Sequence, residues 1–200
     1  MDHSNGYEAI SAEWIARRGS DAGRVRAIGV DEVRRWARTL PVGSSVIDIG
    51  CGPGFPLTAM LVEEGLQVYG LDAAPSFVAA FQRNLPGIPV TCASVLKSDC
   101  FGRKFDAVLA VGVIFLMTVD EQARLLRKFA EILNVGGRLL FTAPLPACTW
   151  IDQMSGLRSV SLGGEEYRRQ LASAGLSVVA EFEDVGENHY FEARKMGAAL

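Results

Sequence analysis

The stretch Asp48-Ile49-Gly50-Cys51-Gly52-Pro53-Gly54 decides the fold of this chain. It continues a run of mainly apolar and β-branched residues that begins at Ser45, and this run predicts a buried strand. Three glycines at alternate positions allow a tight turn and let a ligand approach the backbone closely. Leu57, Met60 and Leu61 then recur at helical spacing, so the turn joins a strand to a helix. Such a helix begins with unpaired N–H groups at the carboxyl edge of the sheet, where open α/β sheets bind ligands.

Beyond this turn, strand-like runs alternate with helical stretches. The pattern predicts strands at 67–71, 88–92, 105–111 and 138–142 and helices at 74–85, 120–133 and 165–174. Strands that alternate with helices favour a parallel sheet with helices on both faces. Two final strands, 177–182 and 190–194, have no helix between them, which predicts an antiparallel hairpin at one edge. The expected fold class is therefore α/β, a doubly wound seven-stranded sheet, mostly parallel with a C-terminal antiparallel hairpin.

The residues ahead of the first strand have a helical pattern of their own. Four apolar side chains at helical spacing predict one helix: Val33, Trp36, Ala37 and Leu40. Asp31 is its expected N-cap, and positions 7–18 predict another helix or an ordered arm. We expect a single domain overall, with an N-terminal helical arm or cap at 1–44 and a sheet domain at 45–195.

Composition excludes several classes of protein. Of 200 residues, 49% are hydrophobic and 22% charged, which excludes bulk disorder. Lys plus Arg number 20 and Asp plus Glu 23, and the net charge of −3 disfavours a nucleic-acid partner. Four cysteines without a Cys-x-x-Cys pair predict no metal site and favour the cytoplasm. The polar N-terminus lacks a signal-peptide run, and the longest uncharged apolar run, 107–117, is too short to span a bilayer, so we expect no membrane partner.

The motif order resembles that of one enzyme family. A dinucleotide fingerprint would need its third glycine at position 55, where this chain has Phe55. The spacing D-x-G-x-G-x-G instead resembles motif I of the class I S-adenosylmethionine-dependent methyltransferases, of the small, single-domain, type 11/12-like kind. Asp72 after the second strand and Gly136-Gly137 before the fifth stand in the same order as in that family. The resemblance implies a Rossmann-like fold and S-adenosyl-L-methionine as cofactor, with S-adenosyl-L-homocysteine as product.

The resemblance also implies cofactor-binding roles for residues of the glycine turn. Gly50, Gly52 and Gly54 would pack against the methionine moiety. Cys51 belongs to the same cofactor-binding turn, as a small side chain that fills the loop and not as a nucleophile. Asp48 would orient the turn or reach the amino group of the cofactor through water.

Further cofactor contacts are implied at the ends of the next strands. Asp72 would bind the ribose hydroxyls and Ala73 would touch the adenine. The family often has an acid after the third strand for the adenine amino group, and none is present here. Ser94 could accept that bond instead, or backbone groups near Val95 could. Val111, at the end of the fourth strand, would lie under the cofactor.

Three residues of the N-terminal segment are candidates for the same site. Some members of the family pair the cofactor's carboxylate with a basic residue of the arm, and Arg17 could do so, or it could be an ordinary exposed arginine. Tyr7 and Trp14 could close over the cofactor and border the substrate, or they could simply dock the arm.

The loops at the carboxyl edge supply the expected acceptor pocket. Phe115 belongs to an apolar loop after the fourth strand. Trp150 follows the fifth strand and could be a stacking wall or a lid residue packed on the core. The final hairpin turn should lie at the same edge, which would bring His189 and Tyr190 to the pocket mouth. His189 could act as a general base or hydrogen-bond the substrate, or it could be a surface histidine.

The preferred function is in-line methyl transfer from S-adenosylmethionine to a small-molecule acceptor, carried out mostly by positioning and by excluding water. Whether the accepting atom is O, N, S or C stays open, as does the choice between monomer and homodimer. A nicotinamide-dependent oxidoreductase on a related fold is one alternative. A cofactor-binding protein without catalysis is the other, because fold resemblance alone does not decide function.

Overall fold

The computed structural model describes residues 4–18 and 29–197, and for Arg17 and Arg18 it describes the backbone alone. Helices α1 (Ser11–Arg18) and α2 (Val30–Ala37) precede the first strand. Four more helices follow: α3 (Leu57–Glu63), α4 (Pro75–Asn84), α5 (Val119–Ile132) and α6 (Gly164–Ser173). The strands are β1 (Ser45–Ile49), β2 (Gln67–Asp72), β3 (Val90–Cys92), β4 (Phe105–Ala110), β5 (Leu133–Thr142), β6 (Cys148–Ile151), β7 (Arg158–Ser161), β8 (Leu176–Glu183) and β9 (His189–Lys195).

Seven strands form one sheet in the order β3-β2-β1-β4-β5-β9-β8. The pairs among β1 to β5 are parallel, whereas β9 runs antiparallel to both β5 and β8. Thr142 at the end of β5 pairs with Tyr190 near the start of β9. The turn between β8 and β9 therefore lies at the carboxyl edge of the sheet, and the predicted topology is confirmed.

Helices cover both faces of the sheet because adjacent side chains of a strand point to opposite faces. On β1, Ile47 and Ile49 belong to a core shared with α5 and α6. Val46, directly before Ile47, belongs to a second core shared with α2 and α3. The doubly wound arrangement is thus confirmed, and α2 supplies buried side chains to it, Val33 and Trp36 among them.

Three local features differ from the sequence-based expectations. Strands β6 and β7 pair as a separate two-stranded antiparallel sheet between β5 and α6, where only a loop was expected. The expectation that Asp31 caps α2 is wrong: Gly29 is the N-cap, and Asp31 lies in the first turn, where a carboxylate favours the helix dipole. Strand β5 begins directly after α5 and not at position 138. Its first residue, Leu133, already pairs with Phe105, ahead of an irregularity in the pairing of β4 with β5.

No helix within residues 4–18 and 29–197 is long and apolar enough to cross a bilayer.

Candidate functional site

The three glycines of the turn after β1 all adopt positive φ angles, 73° at Gly50, 54° at Gly52 and 88° at Gly54. L-residues with a Cβ avoid this region, so the turn requires glycine. Two of the glycines also make room for neighbouring side chains. A Cβ at Gly50 would overlap Val113, and one at Gly54 would lie 2.7 Å from Cδ1 of Leu85. A Cβ at Gly52 would meet nothing within 4 Å, so open space borders the middle of the turn.

Asp72, at the end of β2, holds this turn in place. Its Oδ2 accepts a 2.8 Å hydrogen bond from the N–H of Gly52, and its Oδ1 accepts one of 2.8 Å from the N–H of Ala74. Burial raises the pKa of Asp72, and these backbone bonds oppose that rise. Each carboxylate oxygen can accept two hydrogen bonds, so the carboxylate of Asp72 retains capacity for a hydroxyl donor.

Asp48 lies beneath the turn and is 3% exposed. Its Oδ2 accepts a 2.6 Å hydrogen bond from the hydroxyl of Thr58, in the first turns of α3. Burial raises the pKa of Asp48 to about 7, the bond from Thr58 opposes this rise and the charge of Asp72 adds to it. Asp48 therefore connects the turn to the following helix, and its side chain is shielded from solvent.

The other cofactor candidates are divided between this edge and the core. Cys51 is buried, and burial raises the pKa of its thiol well above the ordinary value, which does not suit a nucleophile. Ala73 follows Asp72 directly and is half-buried. Ser94 begins a turn in which its carbonyl accepts the N–H groups of residues 97 and 98. Val95 is 3% exposed and packs in the first core, while half-buried Val111 packs against the second.

The N-terminal arm, defined here as residues 4–18, lies on the first turn of α4. The carboxylate of Glu8 accepts hydrogen bonds from Ser76, 2.6 Å from its hydroxyl and 3.0 Å from its backbone N–H. The ring of Trp14 lies 6.3 Å from that of Phe77 and 5.6 Å from that of Tyr7, centroid to centroid. Since α4 starts just after Asp72, the arm lies next to the carboxyl end of β2.

The arm also reaches the two segments expected to border an acceptor. The amide of Asn5 donates to the carbonyl of Leu116, in the turn after β4. The hydroxyl of Tyr7 donates to Oδ2 of Asp152, just after β6, over 3.4 Å. Arm, turn and β6–β7 hairpin therefore meet at the carboxyl edge.

Two aromatic residues join the turn after β4 to the hairpin. Phe115 and Trp150 are both half-buried, and their ring centroids lie 5.3 Å apart at an interplanar angle of 51°. Of the expected pocket residues, the structure thus brings Tyr7, Trp14, Phe115 and Trp150 to one edge. Arg17 belongs to α1, and its side chain lies outside the described part of the structure.

The structure does not bring the hairpin residues His189 and Tyr190 into this group. The ring of His189 lies between two carboxylates of β8, with Nε2 2.9 Å from Glu181 and Nδ1 3.3 Å from Glu183. Tyr190 is 1% exposed and packs in the second core, where its hydroxyl donates to Asp184 over 3.0 Å. The expectation that Tyr190 borders the acceptor is corrected, because alternation along β9 turns its side chain into the protein.

Sequence reasoning missed Glu8, Ser76, Asp152 and Gln122, whose contacts join segments far apart in the chain. No local motif marks these residues. Within the described ranges, no cluster of three or more His, Cys, Asp or Glu residues is arranged to hold a metal ion.

Comparison with known proteins agrees with this geometry. Residues 46–137 match the family described as a methyltransferase domain. The aklanonic acid methyltransferase DauC of Streptomyces sp. (strain C5) is 34% identical over 152 residues, covering 71% of this chain and 61% of that protein. The chain spans 58 to 61% of the length of three curated relatives, DauC included.

Two solved structures share the fold. One is CalS10, an amino pentose methyltransferase from Micromonospora echinaspora bound to S-adenosylmethionine, with a TM-score of 0.70, 19% identity and coverage of 92% of this chain and 97% of that one. The other is magnesium protoporphyrin IX methyltransferase from Synechocystis PCC 6803, with a TM-score of 0.66, 20% identity and coverage of 83% and 77%. Together, the fold, the glycine turn and the sequence matches support a class I S-adenosylmethionine-dependent methyltransferase family for this chain.

Proposed function

We propose that this protein is an S-adenosylmethionine-dependent methyltransferase that acts on a small-molecule acceptor. One observation carries the proposal: the buried carboxylate of Asp72 is fixed beside a glycine turn whose middle residue, Gly52, faces open space. A carboxylate with spare acceptor capacity suits the ribose hydroxyls of an adenosine. A turn that a Cβ would not fill lets a ligand approach the backbone. The residues present therefore fit this cofactor.

The turn and the two carboxylates beside it have three proposed roles. Gly50, Cys51, Gly52 and Gly54 would line the methionine moiety. Asp48 would act beneath them through Thr58, holding the turn against α3. Asp72 would bind the ribose hydroxyls.

The adenine would lie between neighbouring segments of the same edge. Ala73 would contact it from the end of β2, and Ser94 or the backbone at Val95 would bond its amino group. Val111 would lie below the cofactor, and Arg17 of the arm would pair with its carboxylate.

The bound cofactor supplies an electrophilic methyl group on a sulfonium, which is already a good leaving group. The protein then acts by positioning the acceptor in line with that methyl and by excluding water. The arm suits the second task, because it bonds both to α4 and to the segments after β4 and β6. Tyr7, Trp14, Phe115 and Trp150 would border the acceptor.

A base is needed only where the acceptor must lose a proton at a cost. His189 is the sequence-predicted base, and its ring nitrogens already face Glu181 and Glu183. A His189→Ala variant tests this role: a base requires turnover to fall with cofactor affinity unchanged, and unchanged turnover and acceptor affinity would remove it.

The cofactor is tested by calorimetry with S-adenosylmethionine, S-adenosylhomocysteine and NADH. We expect the first two to bind and NADH not to bind; binding of NADH alone would favour the oxidoreductase alternative. Transfer of a labelled methyl group to a broad metabolite panel tests catalysis. Tight cofactor binding with no labelled product would favour a binding protein without turnover.

The domain bounds, the cellular location and the partners are proposed as the sequence predicts them. We propose an N-terminal helical segment at 1–44, which includes the arm, and a single cofactor-binding domain at 45–195. We also propose a cytoplasmic location, a small-molecule partner and no nucleic-acid or membrane partner. Supporting this, all four cysteines are free.

A further inference from the structure

Gln122 of α5 is a fully buried amide, with 0% exposure, outside every motif of the cofactor site. Its Nε2 donates to the carbonyl of Met117 over 2.9 Å and to the carbonyl of Val160 over 2.8 Å. Its Oε1 accepts a 2.7 Å hydrogen bond from the hydroxyl of Tyr167, whose oxygen in turn faces the N–H of Leu162 at 3.3 Å. Both amide hydrogens and the amide oxygen are therefore paired, and a satisfied buried network of this kind specifies one arrangement of its neighbours.

The two carbonyls bound by Gln122 belong to different parts of the carboxyl edge. Met117 ends the turn after β4, and Val160 lies in β7 of the hairpin. One side chain thus links two segments that have no strand pairing with each other.

Each linked segment carries one ring of the aromatic pair. Phe115 stands two residues before Met117, and Trp150 lies on β6 opposite Ser159 of β7, next to Val160. The ring centroids lie 5.3 Å apart, and both side chains remain partly exposed. The same turn reaches the cofactor site through Val113, which lies against Gly50.

We propose that Phe115 and Trp150 form the wall that receives a planar aromatic ring of the acceptor, and that Gln122 is the residue that positions this wall. The inference rests on the proposed function and deepens it by naming an aromatic acceptor class. Aromatic rings gain from offset or edge-on contact with a third ring beyond what area burial supplies. That gain requires fixed ring positions, which the hydrogen bonds of Gln122 supply.

The probes are 2-naphthoate and its saturated counterpart decahydro-2-naphthoate, which share a charge and a carbon skeleton but differ in aromaticity. Binding is measured by calorimetry with and without S-adenosylhomocysteine. We expect wild-type protein to bind 2-naphthoate about fivefold more tightly than the saturated probe. Binding of neither probe, or of both equally, overturns the proposal.

Variants then assign the preference to these residues. Trp150→Leu should abolish the preference and Trp150→Phe should retain most of it. Gln122→Met, close in size but without donors, should weaken 2-naphthoate binding about fivefold while S-adenosylhomocysteine affinity stays within about twofold. Gln170→Met on α6 is the matched control and should change neither the affinity for 2-naphthoate nor that for S-adenosylhomocysteine. If Trp150→Leu and Gln122→Met both still prefer 2-naphthoate to the saturated probe, the proposal is overturned.

Two features keep the outcome interpretable. Trp150 is partly exposed, so its variants test the wall even where Gln122→Met fails to fold. If wild-type protein does not bind S-adenosylhomocysteine, the proposed function is contradicted. If it binds S-adenosylhomocysteine but shows no preference for the aromatic probe, only the acceptor class is contradicted.

Discussion

The Oδ2 atom of Asp72 lies 2.8 Å from the backbone nitrogen of Gly52 and accepts its hydrogen bond. This bond ties the end of β2 to the turn after the neighbouring strand β1. The carboxylate is therefore held in place by the protein alone, before any ligand binds. Preorganisation of this kind lowers the ordering cost of binding.

Replacing Asp72 with Asn tests this arrangement. The amide has one acceptor oxygen where the carboxylate has two, so it cannot accept from Gly52, Ala74 and a ligand's hydroxyls together. We expect S-adenosylhomocysteine affinity to fall about tenfold or more in calorimetry, as for loss of a hydrogen bond to a charged group. Asp99→Asn is the control, since Asp99 is an exposed carboxylate that also accepts a backbone N–H. Equal affinity in the two variants would show that Asp72 does not bind the cofactor.

Gly52 and Gly43 form a matched pair for testing the open face of the turn. Both have positive φ, 54° and 80°, and a Cβ at either meets nothing within 4 Å. Substitution by Ala should cost each variant about 1 kcal/mol of stability through backbone strain. We expect only Gly52→Ala to lose cofactor affinity, measured by calorimetry beside thermal unfolding. Retained affinity in Gly52→Ala would place the cofactor elsewhere.

The buried carboxyl of Asp48 should make stability depend on pH. Its pKa is raised to about 7 in the folded protein, so the folded state holds a proton that the unfolded state has released. The free energy of unfolding should therefore fall as pH rises from about 5 to about 7 and then level off. Asp48→Asn should flatten this part of the profile, measured by urea unfolding without cofactor.

Asp106→Asn is the control, because the pKa of Asp106 is shifted in the direction opposite to that of Asp48. The backbone bond from Ser45 lowers the pKa of Asp106, so this group contributes stability above its unfolded pKa and loses it in acid. Asp106→Asn should lower the free energy of unfolding at neutral pH and leave its decline between about pH 5 and about pH 7 in place. An unchanged decline in Asp48→Asn would show that another group causes it.

Glu8 should hold the arm on α4. Its carboxylate accepts two hydrogen bonds from Ser76, and Glu8→Ala removes both. We expect faster amide hydrogen exchange in residues 4–18 and weaker acceptor binding, while the sheet keeps its protection. Glu131→Ala, at an exposed position of α5, should leave the exchange of the arm unchanged. Wild-type exchange in Glu8→Ala would show that the aromatic contacts of Trp14 suffice to hold the arm.

Much of the fold was predictable because it depends on local pattern. The alternation of apolar strands and amphipathic helices, with the glycine turn between β1 and α3, predicted the sheet, its two covered faces and its antiparallel edge. The pairing of Thr142 with Tyr190 confirms the placement of the final turn at the carboxyl edge. The hairpin of β6 and β7 was missed because its strands are four residues each, β6 is mostly exposed, and neither sequence alternates strongly between apolar and polar residues.

The sequence by itself thus determined the fold and the glycine turn, because φ preference and hydrophobic period act over a few neighbouring residues. Tertiary structure alone decided which segments meet at the proposed acceptor site. Tyr7 meets Asp152 across 145 positions of the chain, and Gln122 meets Val160 across 38. Such contacts follow from which elements pack side by side, and hydrogen bonds between distant residues leave no periodic signal in the sequence. Tyr190 has a different reason: its position in the chain suggested the pocket, but the face of β9 on which it lies places its side chain in the core.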